Sequence, residues 1–132
     1  MGARILLIDD DQEFVESIQL ILKSAGYDVF TAMDGETGFN AAVCEKPDLI
    51  ILDVMMKTIT EGIRVARQLH HDERTQGIPV LMFSALREVM KLDEDLEPDE
   101  INLPVCKFLE KPVPAQKLLS VIQEIIEKAK IS

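Results

Sequence analysis

The stretch LLIDDDQEF, residues 6–14, runs an apolar segment into three adjacent carboxylates, Asp9, Asp10 and Asp11. Further apolar runs end in polar residues of other kinds: DLIILD in Asp53, VLMFSA in Ser84 and its neighbour, and FLEK in Lys111. Like charges repel, and burying a carboxylate without compensation is costly. If these runs are strands whose ends meet, a hard divalent cation is what would offset the crowding. Mg²⁺ (or Mn²⁺) takes oxygen ligands and suits a carboxylate set. Lys111 adds a positive point charge and Ser84 a hydroxyl donor. A carboxylate nucleophile, a cation, a lysine and a hydroxyl make a phosphoryl-accepting site.

The elements that must hold these residues are legible from apolar patterning. ARILLI, YDVFTA, DLIILD, IPVLMFSA and VCKFLE read as five strands, and the first and third are apolar enough to be buried on both faces. QEFVESIQLILKSAG reads as a helix with Phe14, Ile18, Ile21, Leu22 and Ala25 on its inner face. Asp10 or Asp11 caps it, Glu13 assists, and Gly26 stops it. GETGFNAAVCEK is a weaker helix opened by Asp34 and closed before Pro47. A third helix is expected from about Glu61 to His71, with Ile63, Ala66 and Leu69 facing in. PAQKLLSVIQEIIEKAK is the last, with Leu118, Ile122, Ile125, Ile126 and Ala129 as its stripe, Pro114 near its start and Lys128 and Lys130 at its end. Between Ala85 and Pro104, LREVMKL is compatible with a helix and DEDLEPDEINLP reads as a solvated acidic loop.

Strands alternating with helices predict an α/β, doubly wound, flavodoxin-like (βα)5 fold. Its five-stranded parallel sheet has the order 2-1-3-4-5, with helices on both faces and right-handed crossovers. In such a sheet the working crevice lies at the carboxyl ends of the strands, where strand order reverses. Strands one and three are then neighbours, and Asp9, Asp10 and Asp53 converge.

At these residues the sequence resembles the response-regulator receiver domain of two-component signalling. ILLIDDDQEF, PDLIILDVMM, VLMFSA and FLEKP match in the family's order over nearly the whole chain. The resemblance implies that Asp53 is the phosphoacceptor, taking the phosphoryl group from a partner histidine kinase or phosphotransfer protein. It implies that Asp9 and Asp10, with Asp53 and the backbone carbonyl of Met55, hold Mg²⁺. Ser84 and Lys111 would meet phosphoryl oxygens, and Lys111-Pro112 would be the family's cis bond. Ser84 would also be a switch residue, moving with the loop after strand four, and Phe108 would be the aromatic switch. A downstream protein partner would dock on the face made by helix four, strand five and helix five. The domain would be a signalling receiver, not an enzyme with a separate substrate.

Three features depart from the family pattern. Lys57 stands where a proline usually follows the methionine after the acceptor, and the distance from Asp53 to Gly62 is one residue longer than usual. The segment before strand five is longer than usual and lacks a Gly-Ala pair. Phe108 lacks the hydroxyl of the commoner tyrosine, so packing alone governs its burial. Met55 and Leu86, two residues after Asp53 and Ser84, carry apolar side chains that cannot orient a hydrolytic water, so slow autodephosphorylation is expected.

Alternatives from other classes fare less well. A haloacid-dehalogenase-type phosphatase needs Asp-x-Asp-x-Thr or Val, but DDDQE ends in Glu13. A flavin domain needs a phosphate loop free of carboxylates. A pseudo-receiver, binding a protein partner independently of phosphorylation, is the strongest alternative. His70 and His71 are adjacent on a helix and point about 100° apart, which suits a helix C-terminus better than a metal. The chain has 24 acidic and 14 basic residues, for a net charge of −10. That field disfavours direct contact with a nucleic-acid backbone. Neither a signal peptide nor a membrane span is present, so no membrane insertion and a cytoplasmic location are expected. Cys44 and Cys106 read as reduced, partly buried thiols. The short ends, Met1-Gly2 and Ile131-Ser132, lead to the expectation of a single receiver domain over 1–132 with no output domain.

Overall fold

The computed structural model describes residues 2–53, 59–84, 107–110 and 114–131. Five strands, β1 (Arg4–Ile8), β2 (Asp28–Ala32), β3 (Leu49–Asp53), β4 (Val80–Ser84) and β5 (Lys107–Glu110), form one sheet in the order β2-β1-β3-β4-β5. Every neighbouring pair is parallel. The helices are α1 (Gln12–Ser24), α2 (Gly35–Glu45), α3 (Ile59–His71) and α4 (Ala115–Ile131), the last being the fifth helix of the expected (βα)5 series. The expected helix after β4, the acidic stretch and Cys106 lie outside the described residues.

Side chains alternate across a strand, so a sheet buried on both faces needs apolar residues at successive positions. Ile5, Leu7, Leu49, Ile51, Leu81 and Phe83 pack on one face with Val15, Ile18 and Leu22 of α1 and Leu118, Ile122 and Ile125 of α4. Leu6, Ile8, Ile50, Leu52, Val80 and Met82 pack on the other with Ala42 of α2 and Val65, Ala66 and Leu69 of α3. The fold is therefore the doubly wound, flavodoxin-like arrangement that the patterning predicts. Among the described residues, no helix is long and apolar enough to cross a membrane.

Capping chemistry sets the helix starts. The Asp11 carboxylate accepts the Phe14 N–H at 3.3 Å, and the Asp34 carboxylate accepts the Thr37 N–H at 2.8 Å. Gly26, with φ +94°, turns the chain out of α1, and Lys46, left-handed at φ 47°, ends α2 before Pro47. A Cβ on Gly38 would lie 2.6 Å from Ile8 Cδ1, so glycine lets α2 approach β1 just below Asp9.

Four local readings need correction. Ala129, placed on the inner stripe of the last helix, is exposed, while Val121, left off it, is buried. Ala25 is exposed and Val15 is buried, because α1 ends at Ser24 and Ala25 is its C-cap. The third helix starts at Ile59, two residues before the expected Glu61. Cys44 is exposed, because it lies on the outer side of α2 while Ala42 takes the inner one.

Thr75 was not singled out by patterning, yet it is buried and its hydroxyl donates to the Leu69 carbonyl at 2.6 Å. The bond satisfies an otherwise orphaned carbonyl in the last turn of α3. Thr75→Val, which keeps the shape but strands that carbonyl, is expected to lower stability by about 1–3 kcal/mol in urea unfolding, and Thr75→Ser by less.

Beside it, the Arg74 side chain and backbone N–H both bind the Asp72 carboxylate and hold it at about 2, down from the ordinary 3.8. Because the folded value is depressed, this contribution is present above 3.8 and is lost as pH falls through about 2. The Asp72 carboxyl should titrate near that lower value by NMR in the wild type, and markedly higher in Arg74→Ala.

Candidate functional site

The site grows from the sheet register. Ile8 pairs with Leu52 across β1 and β3, so Asp9 follows the first and Asp53 the second at the same carboxyl edge. The Asp9 N–H donates to the Ala32 carbonyl at 3.0 Å, carrying the β1–β2 ladder one residue past the strand. This holds the Asp9 backbone in line with β1 while its side chain stays wholly buried. One carboxylate oxygen, Oδ1, accepts the Asp11 N–H at 2.9 Å. The turn from β1 into α1 is thus closed twice over, since Asp11 in turn caps the helix through Phe14.

Asp53 is the last residue of β3 and is buried, with 3% of its surface exposed. Asp10 is exposed. Oxygens of Asp9, Asp10 and Asp53 all lie within 4.8 Å of one another. The structure therefore brings together the three carboxylates that the strand ends pointed to. Anionic oxygen donors at such spacing fit a hard cation such as Mg²⁺ or Mn²⁺, and fit softer, thiolate-seeking metals poorly. Exposed acidic residues alone would not require an ion. Two buried carboxylates beside a third is the more demanding arrangement.

Along the sheet, Asp53 pairs with Phe83, and the next residue of β4, Ser84, pairs with Glu110 of β5. Ser84 thus ends β4 at the same edge, one step beyond the register partner of Asp53. Lys111 follows Glu110 in sequence, but it and Met55 lie outside the described residues. Phe108 occupies β5 opposite Met82 in register. Asp11, left open between two capping candidates, is the N-cap of α1. His70 and His71 form the last turn of α3 with ring centroids 5.6 Å apart.

Sequence reasoning missed Phe14 as more than a core residue. Its ring meets Phe83 at 5.6 Å between centroids with the planes at 79°. The available signal was its place three residues after the helix cap, beside the strand ends.

Known proteins agree with this architecture. The family described as the response regulator receiver domain matches residues 5–123. The chain is 35% identical over 125 residues to the DNA-binding dual master transcriptional regulator RpaA of Synechocystis, covering 95% of this chain and 49% of that protein. It is 34% identical over 132 residues to the alkaline phosphatase synthesis transcriptional regulatory protein PhoP of Bacillus subtilis, covering 100% of this chain and 52% of that one. The chain spans about half the length of these curated relatives. Among solved structures, a CheY-like response regulator receiver domain protein from Methanospirillum hungatei superposes with a TM-score of 0.79. That match has 24% identity and covers 98% of each chain. A sheet ordered 2-1-3-4-5, an acidic cluster at its carboxyl edge and a match over nearly the full length agree on one assignment: this chain belongs to the response regulator receiver domain family of two-component signalling.

Proposed function

We propose that this receiver accepts a phosphoryl group on Asp53 from a histidine kinase or phosphotransfer protein and thereby changes its affinity for a protein partner. The observation that carries the reading is the meeting of Asp9, Asp10 and Asp53 within 4.8 Å, with Asp53 buried at the end of a central strand. A carboxylate oxygen of Asp53 forms the new O–P bond as the P–N bond of the donor phosphohistidine breaks. The electron pair of that bond returns to the imidazole nitrogen. Asp9 and Asp10, with Asp53 and the Met55 carbonyl, would hold Mg²⁺, which offsets charge on the phosphoryl oxygens when bound. Ser84 supplies a hydroxyl donor and Lys111 a cation to the same oxygens.

Receiver domains are signalling modules, with no separate substrate to turn over. The output is a change of surface. Ser84 and Phe108 are the switch residues of this reading, and the face after β4, with β5 and α4, is the docking surface. This domain acts in the cytoplasm on protein partners, and its net charge of −10 argues against direct contact with nucleic acid through it.

Intact mass after incubation with acetyl phosphate and Mg²⁺ tests the reading, beside Asp53→Ala and EDTA controls. One added phosphoryl group, absent from both controls, is the expected result. Decay of that adduct over minutes or longer would agree with the apolar Met55 and Leu86, both outside the described residues, and decay within seconds would overturn slow hydrolysis. No adduct under any condition would transfer support to a pseudo-receiver that binds its partner unmodified.

A further inference from the structure

Four links run in series around the acidic cluster, from Asp9 to Asp53. Asp9 Oδ1 accepts the Asp11 N–H at 2.9 Å. Asp11 Oδ1 accepts the Phe14 N–H at 3.3 Å. The Phe14 ring meets the fully buried Phe83 ring edge to face, 5.6 Å between centroids. Phe83 is the register partner of Asp53 in the sheet. The series starts at one buried carboxylate and ends beside the other, and the ring pair is its side-chain link between α1 and β4.

We propose that Phe14 is a positioning residue for the cation site: its ring, seated on Phe83, holds the first turn of α1 against the end of β4 and so keeps Asp9 and Asp10 close to Asp53. This rests on the reading of the acidic cluster as a Mg²⁺ site. Three carboxylates confined within 4.8 Å repel one another when ionised, and the sheet alone restrains only the backbone of Asp9 and Asp53. Asp10 lies outside the ladder, at the start of the turn into α1, so its distance to Asp53 depends on where that helix begins. A half-buried aromatic ring on a rigid, buried partner is a stiff restraint. An aliphatic side chain of similar bulk fills the space without the edge-to-face preference.

If Phe14 only filled volume, its loss would lower stability equally with and without cation. If it positions the carboxylates, its loss lets them spread, which relieves repulsion in the cation-free protein and weakens the ion. The cost then falls mainly on the cation-bound form.

The test measures Mg²⁺ binding to the unphosphorylated protein by calorimetry, and the rise in melting temperature that Mg²⁺ produces. Phe14→Leu is expected to weaken Mg²⁺ about fivefold and to shrink that rise, while Phe14→Tyr, which keeps the ring, stays within about twofold of wild type. Ile18→Val, buried on the same helix one turn further from the carboxyl edge and carrying no ring, should lower the melting temperature in EDTA and leave the Mg²⁺ constant unchanged. An unchanged constant in Phe14→Leu, or an equal loss in Ile18→Val, would overturn the proposal. Should Phe14→Leu fail to fold, the unmodified protein decides. Ring resonances of Phe83 must shift with the same Mg²⁺ midpoint as the Asp53 amide, and rings indifferent to Mg²⁺ would overturn it. Failure of the wild type to bind Mg²⁺ would instead remove the underlying reading of the site.

Discussion

Asp53→Asn is expected to melt above the wild type in EDTA and to take up no phosphoryl group. The two buried carboxylates, Asp9 and Asp53, have oxygens no more than 4.8 Å apart. Two unit charges at that distance cost about 3.5 kcal/mol at an effective dielectric of about 20, and solvent reaching the exposed Asp10 reduces the share that survives. Neutralising one of them should return about 1–2 kcal/mol, a rise of roughly 4–8 °C for a domain of this size. Mg²⁺ at about tenfold its dissociation constant should then stabilise the wild type by about 1.4 kcal/mol and the variant hardly at all, so the gap narrows or closes. Differential scanning calorimetry in EDTA and in Mg²⁺ measures both arms. An Asp53→Asn protein that melts lower in EDTA would mean that the carboxylate is held by favourable contacts and is not a source of strain.

Leu52→Ala is expected to be the most damaging truncation beneath the site. Leu52 is fully buried, pairs with Ile8 in register, and immediately precedes Asp53 as Ile8 precedes Asp9. Truncation removes buried apolar surface and leaves a cavity at a point where neither strand can move inward without breaking the ladder. The cost should be about 2–5 kcal/mol, a large fraction of the roughly 5–15 kcal/mol that holds a domain together. Leu20→Ala is the control: 69% of Leu20 is exposed, and its truncation should stay within about 0.5 kcal/mol of wild type. Chemical denaturation with a shared slope measures both, and equal losses would show that burial in this sheet does not set the cost.

What was legible in the sequence follows from which forces act locally. DLIILD announces itself because a strand covered on both faces must be apolar at every position, and β3 is buried from Leu49 to Asp53. The carboxylates were legible for the complementary reason: a charge at the end of such a run must sit at the sheet's edge. The inner stripe of α1 was set slightly askew, with Ala25 included and Val15 omitted, because the periodicity does not reveal that the helix stops at Ser24. The start of α3 at Ile59 was set two residues late although Thr58, with Glu61 three residues on, is a capping-box signal in the sequence. Thr75 and Phe14 were missed for a different reason. The partner of each, Leu69 for one and Phe83 for the other, is fixed by how elements pack and leaves no trace in spacing.

The register that unites Asp9 with Asp53 also sets when the cluster can come into being. In a parallel sheet, neighbouring strands are separated by a whole crossover, so β1 and β3 meet only after the intervening β2 and α2 have been accommodated. No short peptide from this chain brings Asp53 to Asp9 and Asp10, and no early hairpin prefigures their meeting. Such non-local pairing makes folding slow relative to helical proteins of the same size. It also spares the nascent chain: Asp53 stays far from Asp9 and Asp10 in solvent until the hydrophobic faces have closed, and its repulsion with them is felt only near the end of the folding route. A divalent ion that recognises all three would therefore act on the finished fold, slowing its opening without guiding its formation.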